Sequence, residues 1–174
     1  MAESLFGIIN PGAKLPVTVV RDAGYIPYFY NHKPTARRGY LFTEAKPLYP
    51  FGFGLSYTQF DIGEPRLSSE RIGINDGVDV QVTVRNVGKR NGDEVVQLYL
   101  HDEVASVTRP VKLLKGFKRI NLQPGEKTTL SFHLSPEDFT LWNSRMEEVV
   151  EPGLFNIMVG PNSVDLKTVT LEIV

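Results

Sequence analysis

The 174 residues contain no cysteine, a single tryptophan, and only three histidines and three methionines. Without cysteine there are no disulfides, no thiolate nucleophile and no Cys-rich zinc site. The compartment stays open, because a domain of this size needs no disulfide. No apolar run approaches the roughly 18 residues of a membrane span, so none is expected. Neither sign of charge dominates. Nineteen basic residues face twenty acidic ones, a net charge of -1, which argues against electrostatic capture of nucleic acid or an anionic membrane. Met1 to Ile9 lacks a basic start followed by a long apolar run, so it does not read as a secretory leader. If the chain is a fragment, the start of its parent decides between periplasmic, secreted and cytoplasmic placement. What remains is a soluble globular composition, 41 % apolar and 22 % charged, which excludes disorder throughout.

From about residue 61 the chain alternates. Val78, Val80, Val82 and Val84 are apolar while Asp79, Gln81, Thr83 and Arg85 are polar, the period of a strand with one buried face. Asn91-Gly92 reads as a turn able to take positive φ cheaply. In Glu94 to His101, Val96, Leu98 and Leu100 share one face, but Val95 and Tyr99 are apolar on the other. This strand is therefore expected to be covered on both sides or to pack a flanking segment. Leu113 to Leu122 is a further strand, with Gly116 marking a bulge or close approach. Gln123-Pro124-Gly125-Glu126 has the signature of a type II turn. Thr128, Leu130, Phe132 and Leu134 alternate again. Ser135-Pro136-Glu137-Asp138 is a helix start of one turn, with Phe139 and Trp142 as its expected core anchors. Arg145 to Val150, Leu154 to Gly160 and Val164 to Ile173 complete about seven short strands with turn signals roughly every 8–12 residues, the rhythm of a sandwich or barrel. Crossover helices are missing, so a parallel sheet is disfavoured there. The fold class is all-β, an immunoglobulin/fibronectin type III-like sandwich.

Residues 1–60 have no such rhythm. Ala2 to Gly7 reads as a last helical turn with Gly7 as its stop, too short to stand alone. Leu15 to Val20 is one possible strand. Residues 21–50 are rich in Pro, Tyr, Gly and charge without periodicity, and a segment this long and irregular usually follows the surface of something larger. The aromatic, glycine-rich Phe51 to Tyr57 would bury much apolar area.

No chemistry-bearing cluster is spaced as one. His32, His101 and His133 stand far apart and form no metal motif. Carboxylates such as Glu44, Asp93, Glu94, Asp102, Glu103, Glu137, Asp138, Glu147 and Glu148 are numerous. A retaining glycosidase needs two of them about 5–5.5 Å apart, which spacing alone does not place. Gly52-x-Gly54 lacks the third glycine and helix of a dinucleotide fingerprint. Lys112, Lys115, Lys118 and Arg119 read as outward charges on a sheet edge. Tyr30, His32, Arg37, Arg38 and Tyr40 combine rings with planar donors. Two readings stand for them: cement between domains, or a loop facing a sugar, with rings for its apolar faces and donors for its hydroxyls.

Three stretches resemble glycoside hydrolase family 3, the β-glucosidase/β-xylosidase group. Leu5-Phe6-Gly7, Asn10-Pro11 and Lys14-Leu15-Pro16-Val17-Thr18 resemble the end of its α/β sandwich domain. Leu48-Tyr49-Pro50-Phe51-Gly52-Phe53-Gly54-Leu55-Ser56-Tyr57-Thr58-Gln59-Phe60 is similar to its linker signature. Gly92 to Leu100, Arg109-Pro110, Lys115 to Arg119 and Leu122-x-Pro124-Gly125-Glu126 are similar to its fibronectin type III-like domain. Ile8 and Ala13 depart from the acidic residue and the glycine usual in the family. The resemblance implies a division into 1–20, the remnant of the α/β domain; 21–60, an interdomain linker; and 61–174, the fibronectin type III-like domain. It implies a parent that is a retaining exo-glycosidase whose nucleophile and acid/base precede this segment, so that catalytic domains of the parent are the expected partner, and an oligosaccharide only through the parent's active site. No catalytic residue and no cofactor or metal are expected within the chain. The competing readings are a free-standing carbohydrate-binding or protein-interaction module and, less well supported, a small independent enzyme.

Overall fold

The computed structural model describes residues 2–34 and 44–174. Among these residues eleven strands follow in chain order: β1 (Phe60–Ile62), β2 (Arg66–Leu67), β3 (Arg71–Ile72), β4 (Val78–Asn86), β5 (Gly92–Asp102), β6 (Leu113–Leu122), β7 (Lys127–Leu134), β8 (Leu141–Trp142), β9 (Glu148–Val149), β10 (Gly153–Gly160) and β11 (Lys167–Ile173). They form two facing sheets and a small β8–β9 hairpin.

In the first sheet β7 pairs along β4, from Val78↔Leu134 to Arg85↔Lys127. The other flank of β4 holds β1, Phe60↔Asn86, and then β2, Arg66↔Gln81. Pro65 lies in the jog between them, a position where a missing N–H costs the ladder nothing. The chain then changes sheets, and β3 pairs parallel with β11 through Ile72↔Ile173. The second sheet runs β3-β11-β10-β5-β6.

The alternating valines of β4 all point inward and are buried. Val96 and Leu98 of β5, Phe155, Ile157 and Val159 of β10, and Leu171 of β11 face them. Each such side chain contributes about 1.5–3 kcal/mol by leaving water. Phe139 closes one end, edge-on to Phe155 at 5.3 Å. It is delivered by the 3₁₀ turn Pro136–Phe139, where the Asp138 carboxylate accepts from the Ser135 N–H at 3.0 Å. Gly125 takes φ 78° in the Pro-Gly turn, and the Glu126 N–H donates to the Gln123 carbonyl. The β5–β6 register shifts beside Gly116, the expected irregularity.

Three local expectations fail. Trp142 is 56 % exposed, because the two-residue strand β8 alternates and Leu141 takes the inward place. Gly92 has no positive φ. It opens β5, and a Cβ there would meet the side-chain ends of Asn10 at 2.5 Å and Thr58 at 2.8 Å, which would have to shift. The run 145–150 supplies only two strand residues; a tight turn at Asn143–Glu147 occupies the rest, with Met146 at φ 60°.

Candidate functional site

The outward face of β5 is the feature that the N-terminal segment is built on. Tyr99 and Gln97 point away from the sandwich core, yet both are buried. The Tyr99 hydroxyl donates to the Gln97 side-chain carbonyl, and the Gln97 amide donates to the Pro161 carbonyl at 2.9 Å. The Tyr30 ring stands edge-on to Tyr99 at 5.6 Å and stacks on Phe51 at 4.5 Å. Burial, and then the neighbouring Tyr30, push the Tyr99 hydroxyl above the usual tyrosine range. The expected second cover of β5 is therefore present, and Tyr30 and Phe51 of the N-terminal segment provide it.

Two extended stretches hold this cover together. The Leu15 N–H donates to the Phe53 carbonyl and the Gly52 N–H to the Leu15 carbonyl, both at 2.8 Å. Val19 and Tyr49 form an isolated bridge in place of the strand expected at 15–20. Gly54 packs so tightly that a Cβ there would overlap the Ala13 carbonyl oxygen. Asn10 is the tie to the sandwich: its side-chain carbonyl accepts from Ser56 Oγ and the Tyr57 N–H, and its amide donates to the Asn91 carbonyl at 2.8 Å. A second tie is the Lys14–Glu94 ion pair at 2.6 Å, largely shielded from solvent.

Where the cover meets the sheet it leaves a cavity of about 380 Å³, lined among others by Thr18, Tyr30, His32, Pro50, Lys112 and Met158. Of the predicted site residues, Tyr30 and His32 come together here. Arg37, Arg38 and Tyr40 lie outside the described residues. The His32 carbonyl also accepts from the Val111 N–H at 2.9 Å, and Tyr30 Oη accepts from the Leu114 N–H at 3.3 Å. Lys112 is where the sequence misled. It sits among the edge-strand lysines in sequence but is half-buried in the cavity, its ammonium donating to the Ser163 carbonyl at 2.7 Å. Burial holds this ammonium below the usual lysine range. No spacing rule brings residues 18, 30, 112, 158 and 163 together, so no local signal could have found the cavity.

The remaining groups serve the fold. Lys115 pairs with Asp138 at 3.5 Å, and Asp93 accepts from Asn121 and Arg119, which hold its carboxyl below the usual range. His133 meets Asp79 across the β4–β7 ladder at 2.8 Å. A wider groove of about 600 Å³ lies along the outer face of the first sheet, where Asp61, Glu64, Arg66, Arg85 and Lys127 stand as charges on an open surface. Among the described residues no group of three or more His, Asp or Glu is placed to hold a metal, and no helix is long and apolar enough to cross a membrane.

Two family models match this arrangement in order. Residues 1–57 match the glycosyl hydrolase family 3 C-terminal domain, and residues 94–163 match the fibronectin type III-like domain. The chain belongs to glycoside hydrolase family 3. It is 47 % identical to a beta-xylosidase of Formosa agariphila and 43 % identical to a periplasmic beta-glucosidase of Salmonella typhimurium, each over 99 % of this chain. Among solved structures, a β-glucosidase from Erythrobacter marinus superposes with a TM-score of 0.96 at 47 % identity. One from Listeria innocua superposes with 0.91 at 37 %, again over 99 % of this chain. The chain spans about a quarter of those relatives: 25 % and 24 % of the two sequences, and 23 % and 25 % of the two structures.

The stretch 48–60, which resembles a signature of family 3, now has a physical content. Its glycines let the backbone lie against Gln97 and Ala13. Its Ser56 and Tyr57 bind Asn10, and Tyr57 Oη reaches the Ser4 carbonyl at 2.6 Å. Its Thr58 donates to the buried Asn86. Of the two departures from the family pattern, Ile8 is exposed, so the change of residue there disturbs no packing within the chain.

Proposed function

We propose that this chain is the non-catalytic C-terminal brace of a retaining exo-β-glycosidase. In this reading the nucleophile and acid/base lie on catalytic domains that precede it in the parent, and the bond cleaved is an O-glycosidic bond of a β-glucoside or β-xyloside. Residues 1–20 are the end of the α/β domain, 21–60 the interdomain linker and 61–174 the fibronectin type III-like domain. The catalytic domains are the partner, and Tyr30, His32, Arg37, Arg38 and Tyr40 border either that contact or the sugar entrance.

The observation that carries the reading is the two-sidedness of the N-terminal segment. Its inner side is tied to β5. On its outer side Leu5, Phe6, Ile8 and Val17 are all more than half exposed. Several large apolar residues of one segment facing water support an interaction surface there. The lengths of the relatives supply a matching body of chain for it to meet.

The test has two arms. The 174-residue chain alone is expected not to hydrolyse 4-nitrophenyl β-glucoside or β-xyloside, and turnover at ordinary enzymatic rates would overturn the reading. In the full-length parent, Phe6→Asp is expected to lower the thermal midpoint, while in the isolated chain it leaves the midpoint unchanged. Equal effects in both contexts would remove the docking argument.

A further inference from the structure

We propose that the cavity at Lys112 is a binding site for a carboxylate-bearing sugar ring of the hexuronic acid type. At about 380 Å³ it lies within the size range of small-molecule sites. Its walls are of two kinds. Pro47, Pro50, Val111 and Met158 offer an apolar surface, and the rings of Tyr30 and His32 adjoin it. A sugar ring has the matching character, with apolar C–H faces and a polar rim.

The polar groups decide the class of sugar. Lys112 is the only charged residue lining the cavity among those described, and no carboxylate accompanies it. Its ammonium gives one N–H to the Ser163 carbonyl and enters no ion pair among the described residues. Two N–H groups therefore remain for a ligand. A half-buried cation without a counter-charge is costly, and an incoming monoanion relieves that cost through a charge-assisted hydrogen bond. A neutral hydroxyl makes the hydrogen bond but leaves the charge uncompensated. A single ammonium also matches one negative charge better than the two of a phosphate.

Neighbouring groups supply the rest of the rim. Tyr30 Oη is already an acceptor from the Leu114 N–H, so its own hydrogen is the one left to donate. His32 Nδ1 is 2.9 Å from the Lys33 carbonyl, which can only accept; Nδ1 therefore carries the proton, and Nε2 is the acceptor of the neutral ring. Donor and acceptor thus come from one segment and the cation from another, about eighty residues away in the chain. The site is built wholly from this chain, so its test is indifferent to whether the parent hydrolyses glycosides.

Met158 provides a reporter inside the cavity, and Met146, exposed on the β8–β9 turn, provides an internal control. The experiment is methyl NMR of the ¹³C-methionine-labelled 174-residue chain, titrated with D-glucuronate and, separately, with D-glucose. Glucuronate is expected to shift the Met158 methyl saturably and leave Met146 in place, with glucose weaker by about tenfold or more, the ratio that about 1.4 kcal/mol of charge pairing gives. Lys112→Gln, which keeps N–H donors and loses the charge, is expected to bring glucuronate down to the affinity of glucose. The proposal is overturned by equal affinity for the two sugars, by unchanged glucuronate affinity in a folded Lys112→Gln chain, or by no saturable Met158 shift at tens of millimolar. Should that variant fail to fold, the comparison of the two sugars on the unaltered chain decides the matter alone.

Discussion

Asn86 is fully buried and uses every hydrogen-bonding position of its amide. Its carbonyl accepts from Thr58 Oγ1 at 2.7 Å and the Gly88 N–H at 3.0 Å. Its NH₂ donates to the carbonyls of Arg90 at 2.7 Å and Leu122 at 2.9 Å. Asn86→Ala orphans groups on all four sides and is expected to cost about 2–4 kcal/mol in urea unfolding. Asn86→Asp is expected to cost more, because it buries a charge and aims an oxygen at two carbonyls. If the aspartate variant proves the milder of the two, the assignment of the amide is wrong. Asp102 presents the opposite case. Burial raises its carboxyl above the usual range, against the Val104 N–H and Arg109, which favour the charged form. Between the unfolded value near 3.9 and the raised folded value, the folded state holds the proton that the unfolded state has released. This group therefore withdraws stability as pH rises through that window. Asp102→Asn does not titrate. Its stability relative to the parent chain is expected to improve from pH 3 to pH 7, read from paired urea titrations; a relative loss over that interval contradicts the burial argument.

At the scale of elements, β6 and β7 are the open edges of the two sheets and lie side by side. Open edges invite pairing with another chain, and inward-leaning lysines discourage it. Lys118 has that role: it runs from β6 across the Phe132 ring of β7, and its ammonium donates to the Ser131 carbonyl. Lys118→Val is expected to leave the thermal midpoint nearly unchanged and to raise the aggregation rate near that midpoint by light scattering. A large fall in midpoint without aggregation would instead make Lys118 a packing residue. Legibility in the sequence divides at the same scale. The valines of β4, the Pro-Gly turn and the Ser135 start are each specified within a few residues, and each reads correctly. Trp142 misled because a two-residue strand is too short to show its phase. The first edge is hard to read because it is broken into β1, β2 and β3, which serve two sheets. The second face of Tyr99 was visible as an anomaly, but Tyr30 and Phe51, which cover it, lie about fifty to seventy residues away in the chain. Half of the candidate site, Tyr30 and His32, could be suspected from composition. Lys112 could not, since nothing local separates it from Lys115 and Lys118.

For the whole molecule, the covered face of β5 makes the N-terminal segment part of the sandwich's stability and not an appendage to it. Removing residues 1–57 would expose Tyr99 and Gln97, abolish the Tyr30–Phe51 stack and leave Glu94 without Lys14. Two or three aromatic side chains returned to water amount to about 4–8 kcal/mol. A chain of this length shifts by about 2–4 °C per kcal/mol near its midpoint. The chain beginning at Thr58 is therefore expected to melt at least about 8 °C lower than the 174-residue chain, or to fail to stay soluble. Native-state hydrogen exchange tests the same coupling without a deletion. The amides of Gly52 and Leu15 join the two extended stretches of the cover, and that of Ser163, which donates to the Phe51 carbonyl at 2.9 Å, bridges cover and sheet. They are expected to exchange with free energies close to those of β5 and β10 amides, as members of one cooperative unit. If they exchange several kcal/mol more easily, the cover opens on its own. The sandwich is then a separate domain and its hold on any preceding domain is loose, whereas matched protection makes the joint rigid enough to fix where a catalytic partner would sit.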